Sequence, residues 1–452
     1  MSGDLPALPD LSVRRASELL AARRISAVEL LDAVLDRLDA TEPHVHAYCA
    51  VDRGLAREEA ARAQESPPAG PLHGIPFGVK DVFWTRNLPT TCGSQSLAGW
   101  TAPADAAAVM RLRAAGGVLV GKQVTHEFAC GQDVPATRNA WQHADYPGGS
   151  SAGSAVSVAV GSSLAAIGTD AGGSVRKPAA LNGLTGLKPT RGLVSRLGVA
   201  QPSGSLDHVG TLARSVDDTA LLLEAIAGSA PLDIGGDARG LRVGLCAAFF
   251  GEELEPGVRA AVEEALRELA RLGVVPVPVE LPSLPLALPA GFTILTAEAG
   301  YGRGAHVAAH PEGVVPETRH LIELGAIMPG RWVDAAQKAR ALFRAEVRAA
   351  WLEHRLDVLV TPTLPRVSMP VAEMVIPRDL PAYIPFTIPW NLTGQPALTV
   401  PCGFAVAADG GERPVGLQIV GRPFDEATVL RLGRAYQDAT GWHERRPPLL
   451  TA

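Results

Sequence analysis

Two Gly-Gly-Ser turns, separated by one helix and one strand, constrain this chain more than any other part of it. The first lies in Tyr146-Pro-Gly-Gly-Ser-Ser-Ala-Gly-Ser154 and the second in Gly168-Thr-Asp-Ala-Gly-Gly-Ser-Val-Arg-Lys-Pro178. A helix is expected to start near Ser151 and a buried strand to cover 164–168, so each glycine pair falls where the chain reverses. Glycine lets the backbone of such a turn approach a ligand closely and present several N–H groups to it.

The same texture runs through most of the chain. Short apolar or β-branched runs read as strands at 118–120, 241–245, 274–279, 357–360, 397–400 and 415–420. Helical periodicity covers 216–226, 256–272, 333–354 and 426–440. Near the start, Ser26-Ala-Val-Glu29 is a capping box, with Leu30, Leu31, Val34 and Leu38 on one face of the helix it opens. A second helix over 57–63 is stopped by Pro67 and Pro68. Strands alternating with helices predict an α/β fold, a central sheet covered on both faces.

Composition narrows the function classes. The 452 residues carry a net charge of −6, which leaves no electrostatic footprint for nucleic acid or an anionic membrane. The five cysteines (Cys49, Cys92, Cys130, Cys246, Cys402) show no metal-ligand spacing, and a reduced cytoplasmic setting is expected. Residues 1–10 lack the basic and apolar regions of a secretory leader, and the apolar stretch 155–169 is too short to span a bilayer. No metal or cofactor is expected.

The chemistry is carried by hydroxyls and one amine. Ser174 follows Ala171-Gly172-Gly173, whose successive N–H groups, with its own, can form an oxyanion hole. A serine needs a partner to take its proton. Lys80 sits in what reads as a Gly/Pro-flanked turn, His73-Gly-Ile-Pro-Phe-Gly-Val-Lys80-Asp81, and its apolar setting suits a base. A free lysine titrates near ~10.4, so work at neutral pH needs a shift of about three units, which burial and nearby cations can supply. Ser150 would stand between them as a relay. A lone Gly-Gly-Ser is ordinarily a turn or a helix cap; two of them with the lysine turn point to acyl transfer without histidine.

These residues resemble the amidase signature family. The resemblance rests on the run from Tyr146 to Pro189, which closes on Gly183-Leu-Thr-Gly-Leu-Lys-Pro189. It extends to Lys80-Asp81, Gly121-Lys122, Glu127-Phe-Ala129, Ser205-Leu-Asp-His-Val-Gly210, Asn391-Leu-Thr-Gly-Gln-Pro-Ala397 and Gly416-Leu-Gln-Ile-Val-Gly421. It implies a three-layer α/β/α sandwich around a large mixed sheet, as one domain over 1–452. A helical segment would cover about 10–66 and the signature core about 70–215. It also implies a triad of Ser174 as nucleophile, Ser150 as bridge after a cis Gly149–Ser150 bond, and Lys80 as base. The N–H groups of Ala171, Gly172, Gly173 and Ser174 would form the oxyanion hole. Ser151 would hydrogen-bond Lys80, with Asp170 and Arg176 in support.

Trp84, Gly131 and Lys177 are candidates for the substrate pocket, with variable loops expected around Trp84, 131–136 and 292–301. Lys177 stands where one malonamate-cleaving branch binds a carboxylate, although a surface salt bridge is the plainer expectation. The implied partner is a small-molecule amide, with a homodimer as the expected assembly.

Three other readings compete. Gly116-Gly-Val-Leu-Val-Gly121-Lys122-Gln123 resembles a phosphate-binding loop, but Gln123 offers no hydroxyl for Mg²⁺ and the apolar run lies inside the loop. His306 and His310 have helical metal-pair spacing, but no glutamate lies between them. The glutaminase component of the tRNA-dependent amidotransferase releases ammonia from glutamine and works with partner subunits. It carries an acidic residue before its Asn-Leu-Thr-Gly-like motif, whereas 383–390 here holds none. A stand-alone amidase is therefore expected, with the amidotransferase glutaminase as the alternative.

Overall fold

The computed structural model describes residues 6–448 apart from positions 377 and 408; residues 1–5, half of the segment read for a leader, lie outside the described residues. Eleven strands form one sheet. They are β1 (Tyr48–Val51), β2 (Pro76–Lys80), β3 (Val118–Gln123), β4 (Ala165–Asp170), β5 (Thr185–Lys188), β6 (His208–Ala213), β7 (Arg242–Cys246), β8 (Val275–Val279), β9 (Val358–Pro362), β10 (Ala397–Val406) and β11 (Glu412–Gly421). Their order is β1-β3-β2-β4-β6-β5-β10-β11-β9-β7-β8. β2 runs parallel to β3 and β4, and β7 to β8 and β9, while the remaining neighbours are antiparallel. Every residue of β2, β3, β4 and β6 is buried, which requires cover on both faces of the sheet. The predicted α/β fold around a large mixed sheet is the one observed.

Local signals placed most elements. The helix Ala27–Val45 begins on the expected capping box, with Ser26 Oγ accepting the Glu29 N–H and the Glu29 carboxylate accepting the Ser26 N–H. Two expectations are corrected. The lysine turn is a strand: Lys80 is the last residue of β2, whose Pro76 and Gly78 disguise it. Gly78 is needed there because a Cβ would lie 1.8 Å from the Gln123 side chain on β3. Second, 292–301 is not a loop but part of the helix Ala287–Ala309. Its Gly300 lies against the backbone of 325–326, where a Cβ would meet Ala326 N at 2.2 Å. Glycine there serves close helix packing, which sequence texture alone reads as irregular.

Both decoy motifs resolve into structure. Lys122 on buried β3 pairs with Asp81 at 2.9 Å and donates to the carbonyls of Phe83 and Pro89, so it faces no phosphate. His306 bonds Ser96 at 2.9 Å, and among the described residues no cluster has metal-binding geometry. No helix among the described residues is long and apolar enough to cross a membrane.

Candidate active site

Because β2 and β4 are parallel neighbours, their C-terminal ends emerge on the same edge of the sheet. That edge is where open α/β sheets bind ligands. β2 ends in Lys80 and β4 in Thr169-Asp170. Fully buried, Lys80 Nζ donates to Ser150 Oγ at 2.7 Å and to Thr169 Oγ1 at 2.7 Å. Burial drives its pKa down to about 7, opposed by Asp207 and Asp170 and assisted by Lys177. Asp207 is itself buried, which raises its carboxyl pKa; Oδ2 accepts the Ser203 N–H, and Oδ1 has no hydrogen-bond partner among the described residues.

The turn after β4 is held from beneath. Asp170 Oδ1 accepts the Gly173 N–H at 2.8 Å, and Oδ2 accepts those of Val175 and Arg176. Arg176 pairs with both carboxylate oxygens and also donates to Thr387 O, Gln418 Oε1 and Asn391 Oδ1. All five donors of the guanidinium are thereby engaged, so Arg176 anchors the turn and has none left for substrate. Burial alone would raise the Asp170 pKa, but the Arg176 charge and hydrogen bonds hold the carboxyl far below its usual range. From above, Thr387 Oγ1 donates to Gly172 O at 2.6 Å.

This bracing alters the expected oxyanion hole. The Gly173 N–H is turned to Asp170, while those of Ala171, Gly172 and Ser174 have no acceptor among the described residues. Gly173 cannot be replaced in this turn: its φ is +124°, and a Cβ would lie 2.3 Å from Thr387 Oγ1.

Ser150 follows a cis Gly149–Ser150 bond, as the resemblance implied. Ser151, just before the helix Ala152–Val160, donates its hydroxyl to Thr169 O at 3.3 Å and its N–H to Ser174 O at 3.2 Å. The expected Ser151–Lys80 bond is not formed. Thr169 gives the second hydroxyl at the amine, because Ser151 faces the backbone of β4. Ser150 and Ser174 line one cleft with Ala171, Gly172, Gly131 and Lys177. No hydrogen bond joins the two serine hydroxyls among the described residues.

The pocket candidates divide. Gly131 and Lys177 line the cleft, whereas Trp84 packs edge-on against Trp100 at 5.7 Å and does not. Lys177 is only 7% exposed and forms no salt bridge among the described residues, so the expected surface pair is absent. Its ammonium lies 5.8 Å from the Tyr146 ring centre, and burial lowers its pKa to about 8. Phe292, Leu295 and Ile384 supply an apolar wall.

Sequence reading missed His126, Thr169 and Asp207. His126 lines the cleft beside Ser150, with burial lowering its pKa to about 4; its backbone N–H donates to Ser150 O at 3.3 Å, while its ring contacts Tyr146 Oη and Gly131 O rather than either serine hydroxyl. Thr169 and Asp207 lay inside the quoted motifs, but nothing in their spacing assigned them a role. His126 had no motif at all.

A family model described as Amidase matches residues 29–430. The chain belongs to the amidase signature family. It is thus an amidase-family hydrolase acting on carbon–nitrogen bonds. Among curated relatives, the A-type subunit of glutamyl-tRNA(Gln) amidotransferase from Chloroflexus aurantiacus is 42% identical, over 98% of this chain and 99% of its own. A crystal structure of an amidase superposes with a TM-score of 0.86 at 34% identity, covering 95% of this chain and 99% of that one. The corresponding glutamyl-tRNA(Gln) amidotransferase subunit from Thermotoga maritima gives 0.84 at 30% identity, covering 98% of each chain. Both kinds of amidase-family protein therefore share this fold closely.

Proposed function

We propose that this amidase-family protein hydrolyses a carboxamide through an acyl-enzyme on Ser174. The observation that carries the reading is the buried Lys80 amine, 2.7 Å from Ser150 Oγ and lowered to about 7. A neutral Lys80 accepts the Ser150 proton as Ser150 takes that of Ser174. Ser174 Oγ bonds to the carbonyl carbon, and the oxyanion forms against the N–H groups of Ala171, Gly172 and Ser174. Donors of this kind are each worth ~10²–10³ in rate. Collapse breaks the C–N bond, and the amine leaves with the proton that Ser150 returns. Water, deprotonated through the same relay, then splits the ester and releases the acid. The Ser150–Ser174 contact belongs to the substrate complex, where catalytic hydrogen bonds commonly tighten.

For the amide itself, glutamine comes first on the strength of the amidotransferase relatives, and it displaces the stand-alone amidase expected from sequence. On this reading the chain works with partner subunits that use the ammonia. Lys177 suits the glutamine carboxylate. The second reading, a stand-alone amidase for an acid-bearing amide without an ammonium, is favoured by one observation. Among the described residues no Asp or Glu lines the cleft, so a substrate ammonium would find no carboxylate there. Ammonia release from glutamine, glutaric acid monoamide and a neutral aliphatic amide separates the readings. Preference for glutamine supports the first, and preference for the monoamide supports the second. Release from none of a broad amide panel defeats both.

A further inference from the structure

A cavity of about 570 Å³ shares no lining residue with the catalytic cleft. Its wall is the C-terminal half of the helix Gly330–Glu353, which contributes Arg344, Arg348 and Trp351; Arg355, Gln395 and Arg422 close it. Arg344, Arg348 and Arg355 form no ion pair among the described residues, and Arg422 has only Asp357, at 3.9 Å. Some exposed arginines elsewhere, such as Arg57, Arg62, Arg267 and Arg271, sit beside a carboxylate, and scattered ones such as Arg23, Arg24 and Arg331 do not among the described residues, but here four share one cavity. The cavity therefore concentrates uncompensated positive charge.

Two residues of the wall each carry a buried polar atom. Gln395 is 4% exposed; its Nε2 donates to Gly421 O, but its Oε1 has no partner among the described residues. Trp351 is 5% exposed, and its Nε1–H is likewise unsatisfied. Burying such groups without partners is costly, and both side chains belong to the cavity wall. The volume falls within the range of small-molecule sites. Arginine forks match phosphate oxygens, and their number exceeds what one carboxylate could use. The aliphatic stems, Val347 and the Trp351 indole provide apolar surface for the rest of the ligand.

We propose that this cavity binds a small ligand bearing a phosphate on a planar, partly apolar body, the chemistry of a nucleoside monophosphate. The site is independent of the amide assignment above. The test is calorimetric titration of the full chain with AMP, adenosine and inorganic phosphate, repeated on Arg344→Glu/Arg348→Glu. Both arginines are exposed, so the variant is expected to fold, and a thermal melt checks it. AMP is expected to bind at least ~10-fold more tightly than adenosine or phosphate, and the variant to lose that binding by a similar factor while amide hydrolysis persists. No heat with AMP, or equal AMP binding by the variant, overturns the proposal. Adenosine binding as well as AMP would remove the anion from it, and phosphate binding as well as AMP would remove the planar body; either result overturns it as stated.

Discussion

Lys80 Nζ lies 2.7 Å from Ser150 Oγ at the end of a buried strand and forms no ion pair among the described residues. An amine placed so is costly to keep charged, and that cost makes it usable as a base near neutrality. Activity should therefore need the neutral amine and fall as pH drops through about 7. A pH profile of kcat/KM with a single acidic limb near that value is expected, and a flat profile to pH 5 would refute the assignment. The sign for stability is consistent. Between about 7 and the usual lysine value of 10.5 the unfolded chain binds a proton that the folded chain lacks, so this group's contribution to stability rises with pH across that window.

Asp207 opposes that shift. Replacing it by asparagine removes a negative charge near Lys80, so the acidic limb of Asp207→Asn should move to lower pH. A limb that stays in place or moves upward would remove Asp207 from the electrostatics of the base.

Ser174→Ala should lower turnover by ~10³-fold or more while leaving the thermal melt close to that of the parent. Lys80→Ala should be nearly as damaging. Stopped-assay ammonia measurements check both, and near-normal turnover by Ser174→Ala would end the acyl-enzyme mechanism.

The turn beneath the nucleophile can be tested without touching the reacting atoms. Arg176→Met leaves Asp170 buried and uncompensated, which should cost about 3–5 kcal/mol in urea unfolding. Asp170→Asn combined with Arg176→Met should recover part of the loss, because neither charge is then left alone. A loss below about 1 kcal/mol for the single variant would contradict the anchoring role.

The two glycines of that turn should behave differently. Gly172→Ala has its nearest side-chain contact at 3.6 Å and should fold normally. Gly173→Ala meets Thr387 Oγ1 at 2.3 Å with φ at +124°, and should lose stability and activity together. Equal melting temperatures for the two variants would contradict this account.

Much of this protein was readable from local pattern. Alternating apolar runs and helical periodicity placed seven of the strands because each signal lies within one element. The serine turns and their glycines stood out because such backbone geometry restricts residue choice. β1, β2, β5 and β6 went unread: β1 and β5 have only four residues each, and residues such as Pro76, Gly78, Gly186 and Gly210 break the strand pattern. Their identity as strands comes from neighbours across the sheet.

What the chain determined alone was which hydroxyls and which amine could react. Tertiary structure decided how they are held, since Lys80 and Thr169 meet only when β2 and β4 pair in parallel. It also decided that Gly173 faces Asp170, that Trp84 stands away from the cleft, and that Lys177 is buried without a carboxylate. Each of these depends on contacts between residues far apart along the chain, and burial and electrostatics are sums over such contacts, so no local pattern contains them.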